Sequence, residues 1–230
     1  MGLLGSLYLN NFLENSYYTR KSAIEEKIEN FLNKKVDLGE YSGIRLFGIS
    51  FANVKINDRE NINSEIKAEN IYVGIMPIKS ILNQKWNIKI VPKKTKININ
   101  KTFFNRRKTY VNEQKIIKNK IKYDLNFNLK EFASFKLNDF GIQTRIKGNV
   151  IYRSNSNQIL GNIKSNFQGK NNLRLKLNTK LNQELFNIEI FSNGINLKES
   201  DYDIGNRKFI VKQGKLKSNF KFYKSQNNSY

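Results

Sequence analysis

The side chains best placed by type and spacing to do chemistry are Asp201 and Asp203, two apart, and the glutamates Glu25, Glu26 and Glu29. Two carboxylates at that spacing can share a cation, but oxygen-only sites draw on six or more ligands, and the pair reads as surface charge. The glutamates read as the solvent side of a helix. Histidine and cysteine are both absent. Their absence removes the usual general base, the triad partner, the commonest metal ligand, disulfides and thiolate metal sites. Only carboxylate or lysine chemistry is left in principle. The chain has no phosphate-binding glycine loop, dinucleotide fingerprint, nucleophile elbow or zinc spacing. It reads as a protein that binds or scaffolds, with no catalytic residues, no cofactor and no metal.

Positioning is therefore the informative level. Residues 120–130 read KIKYDLNFNLK, with an apolar side chain at every odd position. On a pleated strand Ile121, Tyr123, Leu125, Phe127 and Leu129 fall on one face, and Lys122, Asp124, Asn126 and Asn128 on the other. The same period of two recurs at residues 146–152, 159–167, 173–181, 186–191, 209–211 and 216–222. Leu173, Leu175 and Leu177 form a second in-phase set. The turn signals between these runs include residues 154–157, residues 169–172 and Asn193-Gly194, as in an antiparallel meander. Residues 161–167 (GNIKSNF) echo 214–220 (GKLKSNF), and 146–150 form a looser copy, which is the mark of repeated β units.

The 230 residues suffice for a real core, and sixteen Phe and eleven Tyr argue against disorder. The formal net charge is +22, from 41 Lys and Arg against 19 Asp and Glu. Such an excess selects an anionic partner, either nucleic acid or acidic lipid headgroups. An AT-rich coding sequence also inflates lysine, though it does not explain the shortage of acids.

Ahead of the β text, Ser22-Ala23-Ile24-Glu25 has the form of a capping box. Ile24, Ile28, Phe31 and Leu32 follow at the spacing of one apolar helical stripe. Strand patterns then run through residues 36–56 and 66–75. Pro77 with Ile78, Ile81 and Leu82 predicts a short helix. Trp86, Ile88 and Ile90 predict a strand ended by Pro92, with another at residues 97–99. The basic run Asn105-Arg106-Arg107-Lys108 is flanked by Phe103, Phe104 and Tyr110. It suits either a solvated loop or single-stranded nucleic acid. The apolar start of the chain, residues 2–9, is far shorter than the roughly 20 residues of a bilayer span. On its residues alone it is N-terminal packing.

Residues 31–48 (FLNKKVDLGEYSGIRLFG), the strand at residues 66–73 (IKAENIYV), the Pro77–Leu82 turn of helix and the proline-broken segment to Ile99 occur in a recognisable order. In that order the chain resembles the N-terminal region of the TamB and AsmA-like envelope proteins, the cyanobacterial and plastid type. The resemblance implies a helix followed by an extended antiparallel sheet rolled into a taco-shaped groove, apolar inside, with one short inserted helix. The groove would be lined by Ile121, Tyr123, Leu125, Phe127, Leu129, Leu173, Leu175 and Leu177. The implied organisation is a helix with an anchor stub at 1–35, a β region with its short helix near 77–83 at 36–100, a basic insertion at 101–118, and a truncated groove body at 119–230. With the resemblance, residues 2–13 become the stub of a lost anchor helix, and the chain a fragment.

The implied function is non-enzymatic: translocation and assembly of outer-membrane proteins, or lipid transport between membranes. The protein would be inner-membrane-anchored and mostly periplasmic, or in the equivalent plastid envelope. Implied partners are an outer-membrane insertase-type barrel, and lipid acyl chains or unfolded β-strands in the groove; no nucleic acid is expected. The alternative is a basic β-rich nucleic-acid-binding protein. An outer-membrane barrel, whose strands alternate over about ten residues, is disfavoured by the order of the N-terminal elements.

Overall fold

Alternation with a period of two leaves the backbone one way to satisfy its N–H and C=O groups, which is lateral pairing. The computed structural model describes residues 2–59, 61, 63–100, 103, 122–167, 170–180, 185–197, 200–204, 207–211 and 214–224. A long helix, α1 (Gly2–Leu32), precedes β1 (Lys34–Asp37), β2 (Glu40–Arg45), β3 (Gly48–Asp58) and β4 (Glu65–Ile75). The short helix α2 (Pro77–Leu82) leads into β5 (Trp86–Ile99) and β6 (Tyr123–Leu137). Then come β7 (Ile142–Arg153), β8 (Gln158–Phe167), β9 (Lys170–Lys180), β10 (Leu185–Leu197), β11 (Ser200–Ile204), β12 (Arg207–Val211) and β13 (Gly214–Lys224).

Eleven strands form one sheet in the order β1-β3-β4-β5-β6-β7-β8-β9-β10-β13, with β2 also paired to β3; β11 and β12 form a separate hairpin. The fold is mainly β, with an N-terminal helix, a large open sheet and one short inserted helix, as the sequence leads one to expect. One detail differs from a pure meander: β5 and β6 pair in parallel. The sheet is therefore mixed.

β1 and β2 follow one another along the same edge of β3, and α1 packs against both. An edge strand presents unpaired N–H groups. Here the helix supplies acceptors. Glu29 Oε1 accepts from Val36 N at 2.9 Å, Glu25 Oε1 from Leu38 N at 2.8 Å, and Asn10 Oδ1 from Ile44 N at 3.2 Å. The Tyr17 hydroxyl donates to the Gly39 carbonyl at 2.9 Å, and its ring lies 5.0 Å from that of Phe51. Lys21 bridges to Asp37 at 3.1 Å. Asn10, Tyr17, Lys21, Glu25 and Glu29 recur at helical spacing, so the docked side of α1 is largely polar.

That seam overturns the expected helix start. Helix α1 runs without a break from Gly2, so Ser22 caps nothing. Glu25 reaches across to Leu38, in the connection between β1 and β2, instead of back along its own helix, because a free N–H there is a better use for a carboxylate than an amide already inside a helix. The expected stripe is only partly covered, with Ile24 exposed and Ile28 and Leu32 half-buried. No helix among the described residues is long and apolar enough to cross a membrane.

Two punctuation marks also act differently from expectation. Pro92 does not end a strand: β5 runs through it to Ile99. The β5–β6 ladder is interrupted between Ile90 and Lys96, around the proline, while Pro92 keeps its place opposite Ile71 on β4. Asn193-Gly194 is not a turn. β10 continues past it, with a bulge between Asn193 and Ile195.

The seam generates two predictions. Glu29→Ala removes the acceptor for Val36 and the Arg59 partner at 3.3 Å. We expect a loss of about 1–2 kcal/mol in urea unfolding, with most of it recovered in Glu29→Gln, which keeps an acceptor oxygen. The Asp37 carboxyl is held below the usual carboxylate range, first by the Gly39 N–H at 2.8 Å and also by Lys21, against the opposing effect of burial. A depressed folded-state value contributes stability above the unfolded value of about 4 that is lost as pH falls through the folded one. The melting temperature of wild type should therefore drop more steeply below about pH 4 than that of Asp37→Asn.

Candidate functional site: an uncovered apolar sheet face

Register decides which side chains meet, because residues directly opposite one another on paired strands share a face. Phe127 on β6 is opposite Val150 on β7, which is opposite Gly161 on β8, which is opposite Leu177 on β9. The next row runs Leu129, Gly148, Ile163, Leu175 and Ile190. On one side of these lies Leu125, Tyr152, Ile159 and Thr179, and on the other Ala133, Ile146, Ser165 and Leu173. The structure thus brings Leu125, Phe127, Leu129, Leu173, Leu175 and Leu177 onto one surface, although two strands separate β6 from β9. Tyr123 sits at the start of β6 opposite Trp86, with its ring 6.1 Å from Tyr152. Ile121 lies outside the described residues.

The face extends further than the sequence reading took it. The Phe127 row continues through Ile90, Val73 and Ile49 to Ile44 at the helix-capped edge. Each of these residues shows its strand's alternation in sequence. What the alternation lacks is register, which alone joins them to Phe127.

Among the described residues no second sheet or helix layer is packed over the β6–β9 part of this face. Its side chains are accordingly half-buried by their neighbours, as Leu125, Phe127, Val150, Ile163, Leu175 and Leu177 all are. Leu129 and Ala133 are fully buried, where the β6–β7 register shifts between them. Gly148 allows the tight spacing of β7 and β8. Its φ is +150°, and a Cβ there would fall 2.1 Å from the Asn162 carbonyl oxygen.

The opposite face is mostly polar and basic, with Ile151 and Leu160 set among amides. One row carries Asn128, Asn149, Asn162, Lys176 and Glu189, and another Lys147, Lys164 and Arg174. Lys147 lies 4.5 Å from the centre of the Phe132 ring, and Lys176 bridges loosely to Glu189 at 3.8 Å. A shallow recess of about 360 Å³ is lined by Asn149, Asn162, Lys176, Asn178, Asn187 and Glu189 together with Ile151, Leu160 and Leu177. Its polar groups are amides and one ion pair, set beside aliphatic side chains, with no nucleophile–base arrangement among the described residues.

Of the other sequence candidates, the basic run at residues 105–108, Phe104 and Tyr110 lie outside the described residues. Phe103 is buried, with the Lys34 ammonium 4.8 Å from its ring centre, so it is not a free stacking platform. Lys34 in turn pairs with buried Asp58 at 3.1 Å. Asp201 and Asp203 are on β11, and their side chains lie outside the described set. No group of three acids that could hold a metal occurs among the described residues.

No protein-family model, curated protein or solved structure matches the chain. What the site can do therefore rests on its own geometry, a broad apolar surface backed by a polar one.

An uncovered face makes a prediction that a sealed core does not. Leu175→Asn should cost no more than about 2 kcal/mol, because the amide stays hydrated. Leu129→Asn should cost about twice as much, because its amide is buried without a partner. Equal losses in urea unfolding would mean that the face is sealed.

Proposed function

We propose that this chain is a non-enzymatic envelope scaffold of the TamB and AsmA-like kind, whose apolar sheet face shields lipid acyl chains or unfolded β-strands. The observation that carries the reading is the apolar row from Ile44 through Phe127 to Leu177, whose β6–β9 part has no second layer over it among the described residues. A soluble protein rarely leaves so much contiguous apolar surface without a partner to cover it. The rows run across the strands, so a cargo lying along the sheet order meets one apolar side chain after another. Supply of lipid or nascent strands to an outer-membrane insertase-type barrel, from an inner-membrane-anchored periplasmic position, is the role the N-terminal resemblance adds to this geometry.

The basic face supports a second reading, nucleic-acid binding through Lys147, Lys164 and Arg174. That binding should fall steeply with salt as counterions are released.

One experiment separates the two. The full chain is titrated with a fluorescent long-chain fatty acid and, separately, with single-stranded DNA at low salt. The scaffold reading expects saturable fatty-acid binding, reduced at least roughly tenfold in Phe127→Asp/Leu177→Asp by a charge placed on the contact surface, and unchanged in Lys147→Gln/Lys164→Gln. Fatty-acid binding that is absent, or indifferent to the Phe127 and Leu177 changes, overturns it. DNA binding lost in the lysine variant would favour the second reading.

A further inference from the structure

One end of the sheet is built inside out. The helix α2 is held to the protein by its polar groups: Asn87 Nδ2 donates to the Lys79 and Lys85 carbonyls, both at 3.1 Å, and Asn87 N donates to Ser80 Oγ at 2.9 Å. None of its residues is buried, and Ile78, Ile81 and Leu82 are 74%, 77% and 76% exposed. The β2–β3 turn beside it adds Leu46 at 80% and Phe47 at 58%, and the first residue of β5 adds Trp86 at 51%. These are neighbours, since Ile75 N donates to the Phe47 carbonyl at 2.8 Å, and Phe47, Ile81 and Trp86 line one recess of about 830 Å³.

The charges at this end are basic. Arg45, Lys79 and Lys122 are all exposed, and Lys85 is paired with the nearest acid, Asp124, at 2.7 Å. Asn10 meets Ile44 at the same end, and the first turns of α1 precede it. They carry exposed Leu7 and Tyr8.

We propose that this end docks into the surface of an anionic lipid bilayer, with α2, the β2–β3 tip and Trp86 entering the interfacial layer and the basic side chains meeting the headgroups. A handful of aliphatic side chains, one tryptophan and a lysine–arginine rim is what interfacial insertion requires. The net charge of +22 is complementary to an acidic surface and not to a neutral apolar partner. This contact lies at the strand ends, where Trp86 and Ile75 continue the alternation of the apolar face, while Phe127 and Leu177 of the proposed cargo surface lie further along and across the sheet.

Trp86 is the only tryptophan in the chain, so its emission reports on this end alone. The full chain is mixed with vesicles of phosphatidylglycerol and phosphatidylcholine, and with vesicles of phosphatidylcholine only. The expected result is a blue shift and quenching by lipids brominated in the upper acyl chain, with the mixed vesicles only. Ile81→Glu/Leu82→Glu should weaken vesicle binding on the order of tenfold or more. Both side chains face solvent, and unchanged circular dichroism would verify folding. Phe127→Asp/Leu177→Asp should bind vesicles like wild type, even though it loses fatty acid, so the two proposals fail independently. The docking proposal is overturned by equal binding to neutral vesicles, by indifference to the Ile81 and Leu82 changes, or by vesicle binding lost in the Phe127 variant. A blue shift that grows with protein concentration without lipid would assign the end to a second copy and also overturn it.

Discussion

A single-layer sheet must close its edges without help from a facing layer, and the hydrogen bonds between α1 and β1–β2 meet that constraint at one edge. Strand β1 is four residues long and could not hold its place on backbone pairing to β3 alone. The carboxylates of Glu25 and Glu29 and the amide of Asn10 complete the edge by accepting its outward N–H groups. Hydrogen bonds to charged acceptors are among the stronger of their kind, at about 1.5–3 kcal/mol each. With that edge occupied, the apolar row can run unbroken from Ile44 across the sheet.

The same constraint explains why the irregularities fall where they do. Pro92, the Ile90/Lys96 and Leu129/Ala133 register shifts, and the left-handed backbone of Asn53 and Lys94 all lie part-way along their strands. On β5 Trp86, Ile88, Ile90 and Pro92 are in phase on even positions, with buried Val91 facing the other way, and Ile97 and Ile99 are in phase on odd positions. The chain therefore changes phase where its ladder is interrupted. A regular, unbroken ladder would force that change to be made by burying lysine.

Much of the site was legible because alternation is a local property. The in-phase residues of β6 and β9 could be read from residues 120–130 and 173–177 alone, and α2 from one proline and three apolar side chains. The docked side of α1 was not legible. The apolar stripe of the sequence points to Ile24, Ile28, Phe31 and Leu32, whereas Asn10, Tyr17, Lys21, Glu25 and Glu29 do the docking. A polar side chain on a helix looks solvated until the edge strand it serves is known. Gly194 was read as a turn for a similar reason, since a glycine after asparagine serves a hairpin or a bulge equally well and only the partner strand distinguishes them.

The sequence by itself determined that the chain is mainly β, that its strands alternate apolar and polar residues, and that it contains no histidine or cysteine. These follow from residue type and a period of two, which need no partner. Only the tertiary structure decided that the faces of β3 to β9 join into one surface, that no second layer lies over its β6–β9 part among the described residues, and that α2 turns its apolar side outward. Those outcomes depend on register and on what packs against what. Both are set by contacts between residues far apart in the chain, and no local pattern encodes them.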